Sequence, residues 1–297
     1  MADPVIETQE LHKSFKGNEA LSGLNLNVPA GSIFGFLGRN GAGKTTTIKL
    51  LMGILKPDGG NARVFGLTAT DASASVEIRR RLGFVSEEKD LYPYMTVEQI
   101  IRFTRSFFPK WRDDLDRRYL KLFDLPPKRK ISDLSKGMRS TLMLLLGISH
   151  GAELLILDEP ADGLDPVAVE DMLRELVAIA AAEGTTIFFS SHHMEEVEQI
   201  ADHVCIIDGG AAIVTGSLDD LKARYQRLRI VLGEELQATI HWVDGAEHVR
   251  QEGRSVEILA SRNVDAILNQ ARSLPGASVE CFPVTLKEIF MEHARRN

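Results

Sequence analysis

Eight consecutive residues, Gly38-Arg39-Asn40-Gly41-Ala42-Gly43-Lys44-Thr45, fill the pattern G-x-x-x-x-G-K-[ST] without a mismatch. The chemistry that this spacing serves is the binding of a di- or triphosphate. Glycines let successive backbone N–H groups turn inward around phosphate oxygens, and a following helix N-terminus adds partial positive charge. Lys44 is expected to bridge the β- and γ-phosphates, and the Thr45 hydroxyl to ligate Mg²⁺. A second station lies at Leu154 to Glu159, four apolar residues followed by two carboxylates. Acids at the C-terminal edge of a buried parallel strand stand where open α/β sheets bind ligands. Downstream of a phosphate loop, Asp158 is the natural Mg²⁺ partner of Thr45. Glu159 can orient a water attacking the γ-phosphate and take its proton; the plainer alternative is a solvated acidic turn. The apolar run Thr186 to Ser191 ends at His192, which the same edge argument brings to the ligand. His193 is expected on the surface at the start of the next helix.

These residues need elements to hold them. Ile33 to Leu37 reads as a buried strand before the glycine loop, and Thr46 to Met52 as a helix after it. Upstream, Val5 to Val28 alternates apolar stretches with turn residues at Lys16-Gly17-Asn18 and Ser22-Gly23, predicting an antiparallel β section. Phe15 lies in its first turn, where an aromatic serves either the core or an adenine face. Arg81 to Val85 reads as a short strand, leading to Ser86-Glu87-Glu88-Lys89-Asp90. From Met95 to Leu146 the period is helical, broken by Pro109, Pro126 and Pro127, which predicts an inserted helical lobe over about residues 92–150. Ser135, in Leu134-Ser135-Lys136-Gly137-Met138, is placed to cap the last of its helices. Val167 to Ala182 reads as a helix closed by Gly184, and Val204–Ile207 with Ala211–Val214 as a hairpin. After Gly216 the texture changes. Residues 217–297 predict a small α+β appendage, with strands near Arg229–Val231, Thr239–Val243, Val256–Leu259 and Ser278–Phe282, and helices over Val264–Leu274 and Leu286–Arg296. No internal repeat, heptad seam or low-complexity tract is visible.

Composition bounds the function. The 297 residues are 44% hydrophobic, enough for one large domain and a smaller one, and the formal net charge of -7 disfavours a nucleic-acid-wrapping surface. No nucleic acid is expected as partner. Two cysteines, Cys205 in an apolar run and Cys281, form neither a disulfide framework nor a metal spacing and point to a reducing compartment. Met1-Ala2-Asp3-Pro4 lacks the pattern of a secretory signal, and the longest apolar runs fall far short of the ~20 residues that span a bilayer. If the chain acts at a membrane, another polypeptide is expected to cross it.

Taken in order, these stations resemble the ATP-binding subunit of an ABC transporter, over about residues 5–215. The first motif is shared by many NTPases; the ordered set is far more specific, and no guanine-reading Asn-Lys-x-Asp is seen. The resemblance implies a P-loop NTPase core of α/β class, with an N-terminal antiparallel β section, an inserted helical subdomain and a C-terminal accessory domain (1–216 and 217–297). It implies that Phe15 stacks on adenine and that Gly38, Asn40, Gly41, Gly43, Lys44, Thr45 and Thr46 hold ATP. Asp158 with Thr45 would hold Mg²⁺, Glu159 would be the catalytic carboxylate and His192 the switch histidine at the γ-phosphate. Leu134 to Met138 match the signature Leu-Ser-Gly-Gly-Gln, in which Ser135 and Gly137 approach the phosphate of a second subunit. Ala161 to Asp165 match the D-loop, and Glu87 stands at the Q-loop glutamine near the metal.

Two departures stand out. Glu87 puts a carboxylate where the family has an amide, which either repels Mg²⁺-ATP or ligates the metal. Lys136 and Met138 replace Gly and Gln of the signature, Lys136 either adding charge near phosphate or pointing to solvent. The resemblance implies two subunits closing head to tail, as a homodimer or heterodimer, with each ATP between them, and a transmembrane permease subunit contacted by the helical lobe. The single nucleotide unit and the tail Thr285 to Phe290 are most similar to prokaryotic exporters, placing the chain on the inner, cytoplasmic face of the membrane. The alternatives are a soluble ABC-type ATPase acting on nucleic acid or the ribosome, and a regulatory module that binds ATP without splitting it. Relatives of the former tend to carry coiled coils, zinc inserts or fused nucleotide units, and none is visible here.

Overall fold

The computed structural model describes residues 4–88, 90–234 and 240–294. The chain opens on a hairpin of β1 (Pro4–Phe15) and β2 (Asn18–Pro29). Lys16 and Gly17 turn it with φ of 48° and 89°, the positive pair that matches the right-handed twist of the flanking strands. Ser22-Gly23, expected as a second turn, lies inside β2. Gly23 takes φ 72° there, and the β1–β2 register shifts between Leu11↔Leu24 and Lys13↔Leu21, so the glycine marks an irregularity in a continuing strand.

Next come β3 (Ile33–Gly38), α1 (Lys44–Leu51), β4 (Gly59–Val64), β5 (Leu67–Thr68), α2 (Ala72–Arg81) and β6 (Leu82–Val85). The inserted helices are α3 (Val97–Arg105), α4 (Asp113–Leu122) and α5 (Lys136–Ile148). A Thr96/Gln99 capping box starts α3, satisfying two orphan N–H groups reciprocally. Then follow β7 (Leu154–Asp158), α6 (Pro166–Glu183), β8 (Thr186–Ser191), α7 (Met194–Ile200), β9 (His203–Asp208) and β10 (Ala211–Ser217).

Two sheets result. One has the order β2-β1-β4-β5; the other, β10-β9-β3-β8-β7-β6, is parallel from β9 to β6. Every residue of β3, β7 and β8 is buried, as expected of parallel strands covered on both faces. Phe34 and Phe36 pack on Phe188 with ring centroids 5.7 and 5.2 Å apart. The register decides where the chemistry falls. Leu37 pairs with Ser191 and Asp158 with Ser190, so β3, β8 and β7 end side by side.

The described residues divide into two compact units at Thr215/Gly216. The second contains α8 (Leu218–Arg224), β11 (Gln226–Val231), β12 (Ala246–Glu252), β13 (Ser255–Ala260), α9 (Val264–Arg272), β14 (Ser278–Pro283) and α10 (Leu286–Ala294). Its antiparallel sheet has the order β12-β13-β11-β14, and Leu228, Ile230, Val256 and Ile258 form a core with Ile267 and Ala271 of α9. The strand expected over Thr239–Val243 is not there. Thr239 lies outside the described residues, and 240–243 is irregular, its backbone bound instead by the Gln270 amide, which accepts from Val243 N–H at 3.0 Å and donates to the His241 carbonyl at 2.7 Å. The pairing strand is β12, three residues later.

Candidate functional site

The buried run of β3 delivers the chain to the glycine loop at the C-terminal edge of the sheet. Gly43 takes φ 107° as N-cap of α1, and a Cβ there would lie 2.6 Å from the Ala20 carbonyl. Only glycine fits that turn, which leaves the first N–H groups of α1 directed at whatever sits on the loop. Lys44 is 6% exposed. Its Nζ donates to the carbonyls of Gly38 at 2.7 Å and Arg39 at 3.2 Å and lies 3.1 Å from Glu159 Oε1.

Glu159 follows β7 at φ 47°, a left-handed conformation that costs a side-chain-bearing residue about 1–3 kcal/mol and persists only where the surroundings hold it. The surroundings are visible. Its N–H donates to Ser190 Oγ at 3.1 Å, and Ser190 Oγ donates in turn to Asp158 Oδ1 at 2.6 Å. Glu159 Oε2 accepts from His192 N–H at 3.3 Å and lies 2.9 Å from His192 Nδ1. The two Glu159 oxygens thus face Lys44 and His192, joining the three expected catalytic residues in one cluster.

A cavity of ≈ 600 Å³ opens over the cluster. Asn40, Gly41, Gly43, Lys44, Thr45 and Thr46 line it, as do Glu87, Glu159 and His192. Gly38 is the buried last residue of β3. Asp158 is 2% exposed, held by Ser190, and is not among the lining residues. Phe15 is not among the lining residues. It ends β1 with 43% of its surface exposed, and Lys13 Nζ lies 5.4 Å from its ring centroid. Ser135 and Gly137 also lie apart from the cavity, at the start of α5, where Ser135 Oγ accepts the Met138 N–H at 3.1 Å. Lys136, half exposed, places its Nζ 3.1 Å from Asp162 Oδ2 of the same chain. His193 is exposed at the N-cap of α7.

Sequence reading missed Ala20 and Ser190, and placed Asp162 in the D-loop match without a role at the cavity that it lines. Ala20 enters only because β2 passes beside Gly43, and Ser190 reads as one more small residue in a core strand. Asp165, noted within the D-loop, accepts from Val167 N–H at 3.1 Å and Ala168 N–H at 3.0 Å and so caps α6. Among the described residues, no group of three or more His, Cys, Asp or Glu side chains is placed to hold a metal ion.

Strand, glycine loop and helix, with two acids ending the next strand but one, define a P-loop nucleoside triphosphatase. The family model described as ABC transporter matches residues 21–162, and a second, described as AAA domain, putative AbiEii toxin, Type IV TA system, matches 127–198. The chain is 35% identical to the bacitracin transport ATP-binding protein BcrA of Bacillus licheniformis, over 80% of this chain and 78% of that protein. It is 31% identical to the uncharacterized ABC transporter ATP-binding protein YhaQ of Bacillus subtilis, over 94% and 95%. With the daunorubicin/doxorubicin resistance ATP-binding protein DrrA of Streptomyces peucetius it shares 36% identity, over 80% and 77%. Among solved structures, an ATP-binding subunit of an ABC transporter superposes with a TM-score of 0.67 at 27% identity, over 74% of this chain and 92% of the other. The chain belongs to the ABC transporter ATP-binding subunits. It is an ATP-binding, ATP-hydrolysing subunit of a transport system.

Proposed function

We propose that this chain drives export through a separate transmembrane permease, working at the inner, cytoplasmic face of the membrane. Resistance and bacitracin transport, in the names of DrrA and BcrA, favour the outward direction. No helix among the described residues is long and apolar enough to cross a membrane, and the helical insert supplies a surface on which such a partner fits. There Tyr92, Tyr94, Phe103 and Phe107 are 48%, 67%, 40% and 62% exposed, in ring-to-ring contacts of 5.8, 5.7 and 5.1 Å. Clustered exposed aromatics mark interaction sites. Residues 1–216 are the nucleotide domain in this reading, and 217–297 an accessory domain.

The observation that carries the catalytic part is the convergence of Lys44, Glu159 and His192 on one cavity floored by the glycine loop. Gly38, Asn40, Gly41, Gly43, Lys44, Thr45 and Thr46 hold the phosphates of ATP, with Phe15 on adenine. Bound phosphate would draw Lys44 from Glu159, freeing the carboxylate to orient water while His192 faces the γ-phosphate. Among the described residues, the cavity lining carries Glu87, Glu159 and Asp162 against Lys44 as its one Lys or Arg. A polyphosphate there needs a divalent cation to offset the repulsion, and the available donors, Thr45 hydroxyl and Asp158 and Glu87 carboxylates, are the hard oxygens that Mg²⁺ takes. Ser135, exposed, and Gly137, half-buried, stand at a helix start away from this cavity and serve the ATP of a second subunit in a head-to-tail pair. The test is affinity capture of tagged Glu159→Gln protein with ATP from detergent-solubilised native cells. A multi-spanning membrane protein in near-equal amount is the expected result; recovery of ribosomal or DNA-bound partners alone contradicts the reading.

A further inference from the structure

We infer that Lys136 is a positioning residue, tying the start of α5 to the loop that carries Glu159. The inference rests on the head-to-tail reading above. Lys136 is the first residue of α5, between Ser135 and Gly137. Its stem crosses Gly163, which takes φ 71°; a Cβ at 163 would collide with Cδ, Cε and Nζ of Lys136, the first at 2.7 Å. Beyond the glycine, Nζ reaches Asp162 Oδ2 at 3.1 Å. Glycine at 163 therefore does two things: it permits the left-handed turn, and it leaves the track in which the lysine lies.

Asp162 is the joint of this connection. Its N–H donates to the Glu159 carbonyl at 3.1 Å, and the next turn closes with Leu164 N–H on Ala161 O at 3.0 Å. Asp162 also lines the cavity over the glycine loop. Contacts thus run without a gap from the helix start that meets the partner's nucleotide, through Lys136 and Asp162, to the left-handed backbone of Glu159 and on to Lys44 and His192. Docking of Ser135 and Gly137 on one ATP is thereby sensed at the water-orienting carboxylate of the other. Both partners of the ion pair are about half exposed, at 51% and 43%, so its contribution is that of a surface pair and not of a fold determinant.

Steady-state phosphate release by the full chain, followed against ATP concentration, tests this. Lys136→Met and Asp162→Asn are each expected to lower kcat about two- to fivefold, the range of an exposed ion pair, and to move the Hill coefficient toward 1. Affinity for a fluorescent non-hydrolysable ATP analogue should stay within about twofold for Lys136→Met. Lys136→Arg should recover both kinetic values, and the double variant should be no worse than either single one, as required of residues acting through one contact. Wild-type kcat and cooperativity in Lys136→Met, or additive losses in the double variant, overturn the inference alone. A wild-type chain that hydrolyses ATP with a Hill coefficient of 1 removes the head-to-tail reading, and this inference with it.

Discussion

Replacing Ser190 by alanine removes one oxygen atom and strands two groups. Ser190 is 0% exposed; its Oγ accepts the Glu159 N–H at 3.1 Å and donates to Asp158 Oδ1 at 2.6 Å. An orphaned buried N–H costs about 1–3 kcal/mol, and the lost bond to a carboxylate about 1.5–3 kcal/mol. After partial relaxation we expect a net loss of about 3 kcal/mol. For a unit of this size that is roughly 6–12 °C in melting temperature, measurable by differential scanning calorimetry. The same change frees the backbone of Glu159 from one of the bonds that hold its left-handed turn, so phosphate release should fall at least about tenfold, since water-orienting geometry tolerates little displacement. A melting temperature within about 2 °C of wild type, with unchanged turnover, would refute the role given to Ser190.

Two further outcomes are expected. Lys44→Ala should abolish ATP binding in calorimetry; it also leaves the buried Glu159 carboxylate without its cation, lowering stability by about 3 kcal/mol, and tight ATP binding by this variant contradicts the phosphate-loop assignment. His150, stacked on Phe108 at 4.1 Å, has its imidazole pushed down from 6.5 to about 4 by burial. Above pH 6.5 both folded and unfolded chains hold it neutral; as pH falls toward 4 only the unfolded chain takes up the proton, so stability drops, by about 3 kcal/mol in all at 1.36 kcal/mol per unit. His150→Phe should flatten the stability curve between pH 6.5 and 4 relative to wild type, and parallel curves would show that His150 does not titrate in this way.

The parts of the site legible in the sequence are those whose signals are local. The glycine loop is one unbroken pattern, and Leu154 to Glu159 and Thr186 to His192 each mark a strand end by a switch from apolar to polar. Parallel strand edges then bring three distant segments together by geometry. Ser190 was not legible, because its partners Asp158 and Glu159 are 32 and 31 residues away and nothing about a serine in a core strand announces them. Lys136 was readable as a departure but not in its destination, which depends on the turn at Gly163. In the second unit the alternating His241-Trp242-Val243 imitated a strand while Gln270 satisfied its backbone. The true strand β12 is an edge strand exposed along most of its length, so it has no buried face to imprint a period of two.

Phosphate release by the wild-type chain and by Glu159→Gln, measured side by side with Mg²⁺-ATP, tests the central claim most directly. The substitution keeps the shape of the side chain and removes the proton acceptor. Release should fall by about a hundredfold or more while ATP stays bound, with the nucleotide-loaded chain running as a dimer in size-exclusion chromatography. Undiminished release by Glu159→Gln would contradict the assignment of Glu159 as the residue that orients the attacking water.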